Sequence, residues 1–231
     1  MMRVVWLILI SSTVAKSADR VAQARQNVAA KVAQAFKEAG VAYPPQELYL
    51  RAFKAERVLE VWAGKKGQPL THIKAFPICA ASGQPGPKRA RGDSQVPEGL
   101  YEISLFNPLS NFHLSLKVSY PNAADRILGT EPDLGGDIFI HGSCASVGCL
   151  AIEDGPIEEL YVMAQDTVRK PIAIHIFPTR VGGEVAEHAA LWHQLEEAQK
   201  LFDRTHRPPN ALVDKKTGAY LFPMALPKMR Q

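Results

Sequence analysis

Cysteine is scarce in this chain of 231 residues, which holds only Cys79, Cys144 and Cys149. Three cysteines cannot build the cross-linked framework of a small disulfide scaffold. The C-x₄-C spacing of the last two has no second matching pair, which argues against a structural zinc site. No phosphate-cradling glycine loop of the Walker or dinucleotide type is present, so no nucleotide cofactor is suggested. Charge of one sign is also weak. A net charge of +4 is too small and too scattered for a nucleic-acid partner, although a mild basic bias suits a polyanionic or carboxylate-rich surface. There is no internal repeat and no low-complexity tract. What remains is an ordinary globular composition, 46% hydrophobic and 22% charged, able to bury a core. The length fits one domain with extensions, or at most two small domains.

Long apolar runs are missing as well. Val4 to Ile10 is apolar but too short for a membrane span. It follows Met1, Met2 and Arg3, a short positive segment. Small residues come after it, with Ala15 and Ser17, or Thr13 and Ala15, suiting a cleavage site. This order of charge, apolar run and small residues reads as an export signal over residues 1–18, as opposed to a buried N-terminal strand. The mature protein would then work where disulfides are allowed.

Periodicity divides the rest. Asp19 to Ala39 has a helical stripe of Val21, Ala24, Val28, Val32, Ala35 and Phe36, with Gly40 as its stop. Tyr43-Pro44-Pro45 reads as a linker. From Glu47 the pattern becomes that of short strands: one around Leu48 to Phe53, then Val58–Trp62, Thr71–Ala80, Leu100–Leu105, Phe112–Val118, Asp137–His141 and Pro171–Phe177. Long loops are expected over Ser82–Pro97 and Tyr120–Gly136. A helix is expected from about Ile157 to Arg169, capped by Asp154 or Gly155. The last fifty or so residues look like an appendage. In it Glu184–Thr205 forms an amphipathic helix bearing Val185, Ala189, Trp192, Leu195 and Phe202, and Gly218–Phe222 a final strand.

The most informative stretch is Ile138 to Glu153. A β-branched run delivers His141, small residues follow, and Cys149 arrives eight positions later. An imidazole beside a thiol can make a thiolate near neutral pH, the reactive form. Gly142 and Gly148 permit a tight loop that folds Cys149 back towards His141. If Cys149 is the nucleophile, Cys79 and Cys144 remain as a pair. The alternatives are reduced, buried thiols, or a Cys144–Cys149 bridge that would silence the site. Ser146 is either a hydrogen-bond donor to the cleft or a small loop residue. His113, His175 and His188 have no comparable context and read as structural or exposed.

The block His141-Gly142 … Ser146-Val147-Gly148-Cys149 resembles the L,D-transpeptidase catalytic (YkuD) domain, in which a His-Gly pair precedes Ser-x-Gly-Cys. Its compressed spacing, with Cys144 inside it, is similar to the YafK-like subgroup of murein transpeptidases. Further blocks agree: Phe76-Pro77-Ile78-Cys79, Ser82-Gly83, Gly86-Pro87-Lys88, Gly92-Asp93, Val96 to Tyr101, Asn107 to Ser110 and Tyr120 to Arg126. The resemblance spans about Glu47 to Phe177. It departs from the family at Ala151, where many members carry an arginine.

The resemblance implies an α+β fold: a mostly β, sandwich-like catalytic domain over residues 46–180, preceded by a helix and linker over 19–45 and followed by an extension over 181–231. It implies a periplasmic enzyme in which His141 serves as base and Cys149 attacks a peptidoglycan stem peptide to form a thioester. Backbone N–H groups around Gly148 and Cys149 would hold the oxyanion, and a carbonyl near Gly142 or Ser143 would orient the imidazole. Arg126, Lys88 and Arg91 are candidates for the substrate carboxylate that the missing arginine would have met. An amine would resolve the thioester, or water would, releasing a peptide or an anchored lipoprotein. A non-catalytic peptidoglycan-binding protein and a cytosolic cysteine hydrolase are the competing readings. No cofactor and no metal are implied.

Overall fold

The computed structural model describes residues 3–180 and 186–223, with side chains from residue 19 onward. Helix α1 covers Arg3–Glu38, and strands β1 (Glu47–Phe53), β2 (Val58–Gly64) and β3 (Thr71–Pro77) follow as a meander. Next come β4 (Gly99–Asn107), β5 (Ser115–Val118), α2 (Ala123–Leu128), β6 (Phe139–His141), β7 (Leu150–Ala151), α3 (Asp154–Asp166) and β8 (Ile172–Phe177). A 3₁₀ turn at Ala186–His188 leads into α4 (Ala189–Thr205), and a small hairpin pairs β9 (Leu212–Val213) with β10 (Tyr220–Leu221).

Eight strands form one sheet in the order β3-β2-β1-β8-β4-β5-β6-β7. Its two edges meet just beyond β3. Cys79 N–H donates to the Ala151 carbonyl at 2.9 Å, and Ala151 N–H donates to the Ala80 carbonyl at 3.0 Å. The sheet is therefore curled, with a seam at β7.

Strand alternation sets the packing. Leu48, Leu50 and Ala52 of β1 join the main core with Ala24, Val28, Val32 and Phe36 of α1 and Ile157, Leu160 and Tyr161 of α3. The alternate residues Tyr49 and Phe53 pack on the opposite face, with Phe202 and with Trp192 and Leu195 of α4. The C-terminal segment is thus the cover of the sheet's second face, and β1 is buried on both sides.

Several boundaries differ from the sequence reading. The third strand ends at Pro77, before Cys79. The expected loop after Tyr120 contains α2, held by a capping box between Asn122 and Asp125. Helix α3 starts at Asp154 with Glu153 at its N-cap, makes no side-chain cap, and ends at Asp166. The strand expected from Phe112 starts at Ser115. Val185 and the start of the expected C-terminal helix lie outside the described residues. So do the side chains of the expected export segment, whose backbone from Arg3 continues α1. Among the described residues no helix is long and apolar enough to cross a membrane.

One buried histidine belongs to this scaffold. His175 Nδ1 lies 2.7 Å from the Tyr49 hydroxyl, and burial, then Arg51, pushes its pKa down to about 3. The unfolded imidazole titrates near the ordinary value of about 6.5. As pH falls from there, the unfolded state takes up a proton that the native state refuses, so stability is lost. The stability gap between wild type and His175→Gln is therefore expected to narrow by up to about 1.4 kcal/mol per pH unit between the two pKa values. Urea denaturation of both proteins at neutral and acid pH measures it. The difference isolates His175 from groups of opposite sign, such as Asp125, which burial raises to about 6.

Candidate active site

The register of the last strands builds the site. Antiparallel pairing sets Ser115 opposite His141 and Lys117 opposite Phe139. Parallel pairing sets His141 beside Ala151 and Ile140 beside Leu150, which places Cys149 beside Phe139. Because side chains alternate across a sheet, Leu116, Ile140 and Leu150 go to the core. The other face presents two rows, Lys117–Phe139–Cys149 and Ser115–His141–Ala151. Nucleophile and base candidates are thereby neighbours on one face.

They line a cleft of about 310 Å³ with Asn107, Ser110, Phe112, Ser115 and Asp137. A larger groove of about 590 Å³ runs past Glu47, Arg169 and Arg207; it contains no cysteine, and the chemistry selects the smaller cleft.

His141 is buried, and its Nδ1 lies 2.6 Å from the Gly142 carbonyl oxygen. A carbonyl only accepts, so Nδ1 carries the hydrogen and Nε2 is left with a free lone pair. Burial lowers the imidazole pKa, opposed by that carbonyl. Phe112 covers the ring with centroids 4.7 Å apart. Gly142 has no room for a side chain, since a Cβ would lie 2.5 Å from an Asp154 carboxylate oxygen.

The Cys149 thiol accepts from Phe139 N–H at 3.4 Å and donates to the Asp137 carbonyl at 3.5 Å. Among the described residues it makes no hydrogen bond to the imidazole, a contact that often tightens only with substrate bound. Burial pushes the thiol pKa up. The Phe139 N–H opposes this, the Asp137 carboxylate adds to it, and the Lys88 ammonium opposes it. Both shifts favour the neutral forms, a thiol beside an imidazole, in the free site.

The loop between them is fixed by serines. Gly148 adopts φ +83° and donates its N–H to Ser82 Oγ at 2.7 Å. Cys149 N–H donates to Ser146 Oγ at 3.0 Å, and that hydroxyl donates back to the Cys149 carbonyl at 2.7 Å. Both amides expected to hold an oxyanion are occupied, and Ser146 braces the backbone of Cys149 itself.

Cys79 and Cys144 form a disulfide with Cα atoms 5.7 Å apart, leaving Cys149 free. The one cluster of metal-ligand types among the described residues joins those two sulfurs with Glu153, and a disulfide offers no thiolate to a metal.

None of the three basic candidates lines the cleft, although the charge of Lys88 acts on the Cys149 thiol. Arg126 is exposed on α2. Lys88 is buried, held by the Ala90 carbonyl and Asp93. Arg91 is exposed and paired with Asp133 at 2.6 Å. Ala151, two residues beyond Cys149, is fully buried at the seam. The cation nearest in the register is Lys117, which sits over the Phe139 ring at 5.6 Å and pairs with Asp137 at 2.7 Å. The sequence reading did not name it, because only strand pairing sets it in one row with Phe139 and Cys149.

The chain is similar to several known proteins. The family model described as YkuD, L,D-transpeptidase catalytic domain, matches residues 48–181. "Putative L,D-transpeptidase YafK" of Escherichia coli (strain K12) is 29% identical over 177 residues, 72% of this chain and 70% of that protein. The structure of the helical cell shape determining protein Pgp2 from Campylobacter jejuni is similar in fold, with a TM-score of 0.50 at 17% identity over 80% of each chain. Its K307A mutant gives 0.49 at 22% identity, over 68% of this chain and 57% of that one.

Proposed function

Because the chain belongs to the L,D-transpeptidase catalytic-domain family, we propose that it is a cysteine acyltransferase acting on peptidoglycan stem peptides through a thioester on Cys149. The observation that carries this reading is the shared face of Cys149 and His141 in one cleft, with His141 Nδ1 committed to Gly142 and Nε2 free.

His141 Nε2 takes the thiol proton as the sulfur attacks the carbonyl at the L-centre of the stem's third residue. The tetrahedral intermediate collapses, the imidazolium returns its proton to the leaving amine, and a thioester remains. An incoming amine, or water, then loses a proton to the same imidazole and releases the acyl group. Lys117 meets the substrate carboxylate, exchanging Asp137 for it. The disulfide and the export segment over residues 1–18 support a periplasmic setting.

The test is intact-protein mass after incubation with tetrapeptide-stem fragments. A peptidyl adduct on the wild type that is missing from Cys149→Ala supports the reading, and the product mass tells amine from water. Absence of both adduct and product, with and without reductant, overturns it. For Lys117→Ala, loss of one charge-assisted contact is expected to raise KM about tenfold with kcat within about twofold. Steady-state kinetics on the same fragments checks this.

A further inference from the structure

The N-terminal helix reaches the cleft through one side chain. Arg20 continues the buried stripe of α1, four residues before Ala24 and eight before Val28. At that position a guanidinium stands where an apolar residue would pack. Its Nη1 donates to the carbonyl oxygens of Pro108 at 3.2 Å, Ser110 at 2.9 Å and His113 at 3.0 Å. Three carbonyls converging on one cation describe a clamp on the segment between β4 and β5.

That segment forms the wall over the catalytic histidine. The Phe112 carbonyl accepts from Gly142 N–H at 3.0 Å, and the Gly142 carbonyl in turn holds His141 Nδ1. The Phe112 ring lies on the imidazole although it is 45% exposed. A ring so exposed is held in place by its backbone more than by its burial. The backbone itself is constrained, since His113 adopts φ +69°, a region that non-glycine residues rarely occupy. A second tie runs from His113 Nε2 to the Glu158 carboxylate of α3 at 2.8 Å, and Asn27 of α1 donates to that carboxylate.

We propose that Arg20 is a positioning residue for His141: it clamps the Pro108–His113 segment, which sets Phe112 and Gly142 against the imidazole. This rests on the reading of His141 as the base. The N-terminal helix is then part of the catalytic apparatus, although it lies outside the residues 48–181 that match the family model. A small displacement of a reacting group is enough to slow chemistry strongly.

The experiment compares Arg20→Ala and Arg20→Lys with Arg25→Ala in the otherwise unchanged protein. Arg25 ties the same helix to Asp166 and does not touch the clamped segment, so it controls for loss of helix docking. The probes are iodoacetamide alkylation of Cys149 at neutral pH, turnover of tetrapeptide-stem fragments, and thermal unfolding. Arg20→Ala is expected to slow alkylation and lower kcat about tenfold with KM within about twofold. Arg20→Lys, which keeps a charge but loses the planar fork, should restore only part. Arg25→Ala should lower the unfolding temperature alone. If Arg20→Ala unfolds, the lysine variant carries the comparison. Equal alkylation and kcat in the Arg20 variants and Arg25→Ala would overturn the proposal and leave Arg20 as a helix staple. If the wild type turns over no fragment, the substrate reading fails, and alkylation still decides the role of Arg20.

Discussion

Replacing His141 by glutamine is expected to slow acylation of Cys149 by about 10³-fold, the worth of a positioned general base, while Cys149→Ala leaves none. The two pKa directions fix the shape of the remaining pH dependence. Burial lowers the imidazole pKa and raises the thiol pKa, so between them both groups are neutral. The wild-type rate should be flat across neutral pH. It should fall on the acid side only below about 6.5, as the imidazole gains a proton. Alkylation of Cys149 should depend on His141 as base at neutral pH and climb further at alkaline pH as free thiolate forms. Rates measured from acid to alkaline pH, together with the ultraviolet absorbance of a thiolate, check this. A thiolate signal at neutral pH that vanishes in His141→Gln would mean an ion pair and sink the neutral-pair mechanism.

Removal of the disulfide is the second large effect. Cys79 and Cys144 are 65 residues apart. In the chain-entropy account, closing a loop of that length restrains the unfolded state by about 4 kcal/mol. For a protein of this size that corresponds to roughly 10 °C in unfolding temperature. Cys79→Ser and Cys144→Ser should each show this loss, and reductant should impose it on the wild type. Activity should fall as well, because Cys144 lies in the segment between His141 and Cys149, and Cys79 pairs with Ala151 beside them. An unfolding temperature indifferent to reductant would refute the stabilising role.

That His141 and Cys149 line one cleft was legible because it is local. A β-branched run ends in histidine, and glycines let the chain return within eight residues. The helical stripe from Val21 to Phe36 was legible for the same reason, since its period needs no partner. What escaped depends on contacts far apart in sequence. Lys117 joins the row of Cys149 only through the register of β5 on β6 on β7. Spacing also says nothing of burial, which lowers the imidazole pKa and raises that of the thiol. Helix α2 is six residues long, and its Asn122 is fixed by the Leu100 carbonyl and the Tyr220 hydroxyl, neither of them a neighbour in sequence. Strand β1 showed half-buried alternation; α4, well over a hundred residues later, fills the other face.

The seam at Ala151 bears on how the protein comes to life. Residues 79–80 and 151 must find one another across some seventy residues of intervening chain before the sheet's edges join, and contacts of that span form late in folding. Cys149 precedes the strand that completes this closure. A newly made chain in which the edges have not met can pair β7 with β6 but lacks the hydrogen bonds from residues 79–80 that hold β7 on its other side. The segment that bears Cys149 is thereby fixed on both sides only once the whole domain has folded.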